Sequence, residues 1–166
     1  MLTIEDGTNV TNADSFITLQ ECRDYAESRG FTDLPSDDTQ LEGLIRIAAD
    51  YINSIEHKFQ GYRYFYADGQ ALSFPREDIY LHGRYIGGEI PSELKNAQAQ
   101  LTIDAFETGL LTSGDGQSVT KEQIGPLVVE YSDNGDTNTQ TEPTAALAIL
   151  KPFFTLNSNL TILNMR

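Results

Sequence analysis

Apolar positions in this chain recur at helical spacing in four stretches, separated by turn-rich connections. Leu19, Cys22 and Tyr25-Ala26 predict a first helix with one buried stripe. Thr18 and Glu21 form a capping box at its start, and Gly30 is placed to end it. Leu41, Leu44, Ile45, Ala48, Ala49, Ile52 and Ile55 predict a second helix with one continuous apolar face. A second capping box, Thr39-Gln-Leu-Glu42, is expected to open it.

The third helix, from Pro91 to Leu110, carries two stripes. Leu94, Ala97, Leu101 and Ala105 form one; Ala99, Ile103, Phe106 and Leu110 form the other, two residues out of phase. That offset is roughly 200° around a helix, so one buried face cannot hold both. A helix apolar all round is buried all round. The second stripe is therefore expected to meet a neighbouring copy or a second layer of the bundle.

Before this helix runs an unusual segment. Ala71–Phe74 reads as extended, Pro75 as a breaker, and Ile79-Tyr80-Leu81 as a short apolar run. Gly83 and the Gly87-Gly88 pair read as a flexible loop. After Gly116 the period changes to two. Val119, Lys121 and Gln123 alternate with their neighbours, Gly125-Pro126 intervenes, and Leu127–Tyr131 follows, which predicts a β-hairpin or arm over residues 117–132. Pro143 opens a short apolar helix that Pro152 stops. Phe153, Phe154, Leu160, Ile162 and Leu163 then keep the C-terminal segment apolar, as if it docks on its own domain or on a partner.

The expected fold is mainly α: a small bundle of three to four helices with a β-hairpin arm and an extended C-terminal tail. Residues 1–155 are expected to form one bundle domain, with 156–166 as a docking tail. At 166 residues the chain can bury a sizeable core.

Charge changes the picture most. The net charge is −14, and the first 58 residues hold twelve acids against four bases. Sequence-independent DNA binding needs a basic patch. The nearest candidates, Arg63, Arg76, Arg84 and Lys95, are flanked by Glu77, Asp78, Glu89 and Glu93. A basic partner, or a role in which sticking to DNA would be harmful, fits better. Cys22 has no partner for an intramolecular disulfide and falls on a buried stripe, where a reduced thiol is expected. No stretch approaches a membrane span, and the N-terminal residues lack the pattern of a secretory signal. The chain is expected to be made in the cytoplasm.

Candidate chemistry is sparse. Phe59–Tyr66, FQGYRYFY, offers Tyr62, Tyr64 and Tyr66 around Arg63, the ingredients of a stacking platform for single-stranded DNA. Rings packed over the helices explain it as well. Residues 130–141 fit a calcium loop poorly, since only Glu130 supplies a carboxylate at the ligand positions and Thr141 stands where a bidentate Glu is needed. His57 and His82 are isolated; a triad of His82 with Asp78 and Ser73 is imaginable, and a loop histidine is the simpler reading. No phosphate loop and no metal-ligand spacing occurs, so no enzyme activity, cofactor or metal is expected.

Several segments resemble a family of tailed-phage proteins. They are Ile4-Glu-Asp-Gly-Thr8, Asp14-Ser-Phe-Ile-Thr18, Tyr25 through Gly30, Leu44–Ile52, Leu72-Ser-Phe-Pro-Arg76, Ile90-Pro91 and Lys121–Tyr131. The last, with Ile124-Gly-Pro-Leu-Val-Val-Glu-Tyr131, is the most specific. The resemblance covers residues 4 to about 154 in order. The family is often labelled DnaT-like single-stranded-DNA-binding, and it is similar to head–tail connector (adaptor, head-completion) proteins. Family members commonly carry Trp where this chain has Phe74.

The resemblance implies a virion structural protein of the neck. Such a subunit forms a ring, typically a dodecamer, under the portal protein, extends the DNA channel and presents a surface to the next neck or tail component. DNA would pass through without specific binding, and no membrane is involved. Ala99, Ile103, Phe106, Leu110, Val119, Leu127, Val129 and Tyr131 are then expected at the interface between copies. Phe153, Phe154, Leu160, Ile162 and Leu163 are expected to dock on portal or a neighbour. The alternative is a single-stranded-DNA-binding protein of phage replication.

Overall fold

The computed structural model describes residues 1–108, 121–124, 127–130 and 143–155, the two short segments by their backbone. Its helices are α1 (Leu19–Ser28), α2 (Asp38–Ser54), α3 (Ser92–Thr108) and α4 (Thr144–Leu150). Three two-stranded antiparallel pairs accompany them: β1 (Tyr62–Arg63) with β2 (Arg76–Glu77), β3 (Tyr80–Leu81) with β4 (Arg84–Tyr85), and β5 (Lys121–Ile124) with β6 (Leu127–Glu130). The fold is mainly α, a small helical bundle with β-hairpins, as the periodicity implies.

Local signals set the helix ends. The Thr18 hydroxyl accepts from the Glu21 amide at 3.1 Å, while Glu21 accepts from the Thr18 amide at 2.7 Å, closing the expected box. Gly30, at φ 75, follows the C-cap and turns the chain away. The second box does not form. Asp37 caps α2 instead, accepting from the Thr39 amide at 3.1 Å, so the helix starts before Thr39. Glu42 is engaged elsewhere, by the Met1 ammonium and by Arg46.

α3 is the central element, with α1, α2 and α4 all packed against it. Leu94, Ala97, Leu101 and Ala105 join the larger core with Phe16, Ala48, Ile52, Phe74 and Leu150. Ala99 and Ile103 join a second core with Ile17, Cys22, Tyr25, Leu41 and Ile45. The first stripe of α3, and Ala99 and Ile103 of the second, are thus satisfied within the chain. The interface expected at Ala99 and Ile103 is corrected accordingly: at 2% and 5% exposure, under α1 and α2, neither can meet another copy. Phe106 remains 42% exposed, edge-on to Phe31. Between the two stripes lies buried Gln98. Its amide donates to Ser15 Oγ and the Ile45 carbonyl, each at 3.0 Å, and accepts from the Phe16 amide at 2.9 Å. A buried amide with these partners is satisfied rather than costly.

The N-terminal segment folds around a buried carboxylate. Glu5 accepts from the amides of Gly7, Asn9 and Val10, turning the loop that precedes α1. Cys22 is buried as expected, and burial pushes its thiol up to about 11.

The C-terminal described segment returns to the bundle. Phe153 is fully buried against Phe74, with ring centroids at 5.6 Å, and Phe154 lies over Phe59 at 5.5 Å. The amide of Thr155 donates to the Lys58 carbonyl at 2.8 Å, and that of Gln60 to the Phe153 carbonyl at 2.9 Å. Phe153 and Phe154 were expected to dock on a partner; they are held by their own chain. Their rings complete the phenylalanine cluster that Phe74 centres, which is why the apolar run persists this far. Leu110, Val119, Tyr131, Leu160, Ile162 and Leu163 lie outside the described residues, as do the side chains of Leu127 and Val129. The hairpin backbone expected there is present, with Lys121 opposite Glu130 and Ile124 opposite Leu127.

Candidate functional site

Between α2 and α3 the chain folds into two small hairpins that put tyrosine on the outside and phenylalanine on the inside. Tyr62, Tyr64, Tyr66, Tyr80 and Tyr85 are each between 44% and 79% exposed. Phe59 and Phe74 in the same segment are buried, with ring centroids 5.1 Å apart.

The underside is held by one charged node. The guanidinium of Arg76, 4% exposed, donates to the carbonyls of Gln60 at 2.7 Å, Gly61 at 2.8 Å and Ser73 at 3.1 Å. It also donates to Glu56 at 3.0 Å. Arg63 approaches the same carboxylate from the other side at 2.6 Å and donates to the Gln70 carbonyl. Burial works against the charge on Glu56, yet the hydrogen bonds and charges of Arg63 and then Arg76 hold its carboxyl below its ordinary value. Two amides finish the scaffold. Gln60 bonds to both backbone groups of Tyr80 and to the Pro152 carbonyl, and Gln70 ties Phe65 to Leu72 and Pro75.

Three glycines let this surface close. A Cβ on Gly61, at φ 64, would stand 1.7 Å from the Glu77 carbonyl oxygen, so only glycine lets β1 meet β2. The Gly87-Gly88 pair is no hinge. The Tyr85 ring lies on Gly87, and the Tyr64 ring lies on Gly88, 3.2 Å from where a Cβ would be. Loss of two side chains makes a bed for two rings. In the β3–β4 hairpin, His82 (φ 50) and Gly83 (φ 82) form a two-residue turn with both residues left-handed, the arrangement hairpins prefer. His82 is therefore a turn residue at an exposed tip.

The rings form one surface. Tyr80 and Tyr85 are cross-strand partners with centroids at 5.6 Å. Tyr62 is paired across strands with Glu77, whose carboxylate accepts from the Tyr85 hydroxyl and pushes that phenol up to about 12. Tyr64 packs against Phe65 at 4.9 Å. Residues 59–90 contain three arginines, and each is bound to a carboxylate: Arg63 and Arg76 to Glu56, and Arg84 to Glu89 through two hydrogen bonds of 2.9 and 3.0 Å. Asp68, Glu77 and Asp78 face no cation among the described residues. The stacking rings expected for a single-strand binder are therefore exposed. Of the cations expected with them, Arg63 shares the Glu56 carboxylate with Arg76, and Lys58 is exposed with no carboxylate partner among the described residues.

A concavity of about 390 Å³ lies between α1 and the start of α3. Of its charged groups, Lys95 pairs with Glu21 at 2.8 Å, Arg29 lies over the Tyr25 ring at 3.4 Å, and Asp24 accepts from the Gln20 amide at 2.7 Å. Among the described residues there is no group of His, Cys, Asp or Glu that could hold a metal ion, and no helix long and apolar enough to cross a membrane.

A family model described as "Putative DnaT-like ssDNA binding protein" matches residues 1–166. The chain belongs to that family. No curated protein and no solved structure matches it. The family description agrees with the DnaT-like single-stranded-DNA-binding label of the resemblance above and says nothing of a connector. Sequence reasoning singled out Tyr62, Tyr64 and Tyr66 but missed Tyr80 and Tyr85, which reach the same surface only through the second hairpin. The signal was available in the Gly87-Gly88 pair, whose missing side chains are the bed of two rings.

Proposed function

We propose that this protein is a head–tail connector of a tailed phage, a ring-forming adaptor that works through protein contacts rather than by holding DNA. One observation carries the second half of that statement: every arginine beside the exposed tyrosines is bound to a carboxylate. Phosphate binding draws its affinity from cations that are free to displace counterions, and across residues 58–90 Lys58 alone is a cation with no carboxylate partner among the described residues. The resemblance to phage neck proteins supports the first half, and the net charge of −14 suits a channel through which DNA must slide. The same charge opposes assembly of free subunits, so a portal would have to template the ring. Phe106, Leu110, Val119, Leu127, Val129 and Tyr131 keep their proposed role between copies, and Leu160, Ile162 and Leu163 theirs in docking, whereas buried Ala99 and Ile103 have lost it. The test is mass spectrometry and neck reconstruction of particles made from the genome that encodes the chain. Finding it in the neck at ring copy number is the expected result; its absence from the particle would sink the proposal.

A second reading has a specific observation in its favour. The family description names single-stranded DNA, and five exposed tyrosines are what base stacking requires. That reading expects an oligonucleotide mobility shift at low salt that weakens steeply as salt is added. No shift at low salt eliminates it.

A further inference from the structure

The tyrosine face is larger than the fold requires. Exposed rings scattered singly are ordinary, but a contiguous set of them marks an interaction surface. Tyr64, Tyr80 and Tyr85 are linked by ring contact and by the adjacent Gly87-Gly88 bed, and Tyr62 joins them through its cross-strand partner Glu77, which accepts from the Tyr85 hydroxyl. Their scaffold is rigid, because Glu56, in the turn just past α2, and the amides of Gln60 and Gln70 fix the hairpins to that turn, to each other and to the C-terminal segment. The rings therefore lose little entropy when something lands on them.

Charge says what lands. Around the rings Glu77, Asp78 and Asp68 are acids without an opposing cation among the described residues, and Arg84 is cancelled by Glu89. An acidic rim around electron-rich ring faces attracts cations twice, once by the carboxylates and once by the ring quadrupoles. The chain shows the second interaction in its own body, where Arg29 lies 3.4 Å from the Tyr25 ring centre.

We propose that the face formed by Tyr62, Tyr64, Tyr80 and Tyr85 is a docking site for an arginine- or lysine-bearing segment of a partner protein. Its cations stack on the tyrosines and pair with Glu77 and Asp78. Tyr66, two residues past Tyr64 in sequence, is also exposed. This deepens the proposed connector function and rests on its premise that the chain acts through protein contacts.

The chain has no tryptophan and eight tyrosines, five of them in this segment, so its intrinsic emission reports on the site directly. The probe is a synthetic peptide of alternating Arg and Gly, with a Glu-Gly peptide and a poly-dT oligonucleotide as comparisons. Binding of the Arg-Gly peptide is expected to alter tyrosine emission. It should weaken about tenfold in Tyr62→Ser and in Tyr80→Ser, the loss of one desolvated cation–ring contact. Glu77→Gln should weaken it too, and Asp50→Asn, an exposed acid on α2, should not. Tyr66→Ser, whose ring is 79% exposed, serves as the variant least able to disturb folding. Equal binding to all variants would mean undirected attraction to an acidic protein and would overturn the proposal. So would no binding, or an oligonucleotide that binds and displaces the peptide. Particle composition is read separately: peptide binding at the face in a chain absent from particles removes the connector and leaves the docking face. A chain present in the neck whose tyrosine variants bind the peptide undiminished removes the face and leaves the connector.

Discussion

Phe59 and Phe74 are wholly inside the protein, whereas Tyr62, Tyr64 and Tyr80, their neighbours in sequence, present exposed rings to solvent. The two groups are nearly the same side chain, separated by one hydroxyl. Phe74 is surrounded by Phe16, Phe59 and Phe153 at centroid distances of 5.1–6.4 Å, all edge-on. Such contacts add roughly 0.5–1.5 kcal/mol each beyond the area they bury. The tyrosines lack that enclosure and keep their polar ends in water. One group of rings holds the bundle together; the other is held in place by it. Arginine divides the same way. Arg76 is buried and serves as a structural plug for four acceptors, while Arg84 is exposed and merely paired.

Substitutions should widen this contrast on one side and leave it flat on the other. Ile103→Asp is expected to abolish folding by circular dichroism, since it places an unpaired charge in the second core. A folded monomer that fails only to assemble would show that the stripe does face a neighbour. Phe74→Ala should cost about 3–5 kcal/mol in urea denaturation, the usual range for removing a fully buried ring. Gly88→Ala should cost roughly 1–3 kcal/mol through its left-handed backbone, and it should disturb Tyr64 by NMR while leaving Phe74 unmoved.

Glu56 gives a pH signature to the node beneath both groups. Its folded carboxyl is held below the ordinary value of 4.5, so its contribution to stability is complete above that value. It is lost as pH falls through the lower, folded value. The stability gap between the protein and Glu56→Gln should therefore be constant at neutral pH and shrink below about pH 4.5. A gap that grows on acidification would contradict the node. The smallest effect is expected on the outside: Tyr66→Ser should change stability by less than ~0.5 kcal/mol.

Much of the bundle was legible as periodicity. The stripes of α1, α2 and α3, the Thr18 box and the Gly30 stop are local signals with local causes. What misled was the partner of the second α3 stripe, because spacing shows that a face is buried and not by which chain. The Thr39-Glu42 box failed since Asp37 caps earlier, and the sequence around Asp37 permits both. Phe153 and Phe154 looked like a docking tail because nothing local links them to Phe59 and Phe74, nearly eighty residues or more away. The tyrosine face depends on two hairpins meeting, and tertiary pairing of that kind leaves no period to read.

The contrast stands or falls on what the exposed rings bind. Tyrosine emission of the intact protein, followed while single-stranded poly-dT is added at low salt, is the most direct measurement. With every nearby arginine already paired to a carboxylate, no change in emission is expected. Saturable quenching that disappears with added salt and in Tyr62→Ser would contradict the account and make the face a nucleic-acid platform.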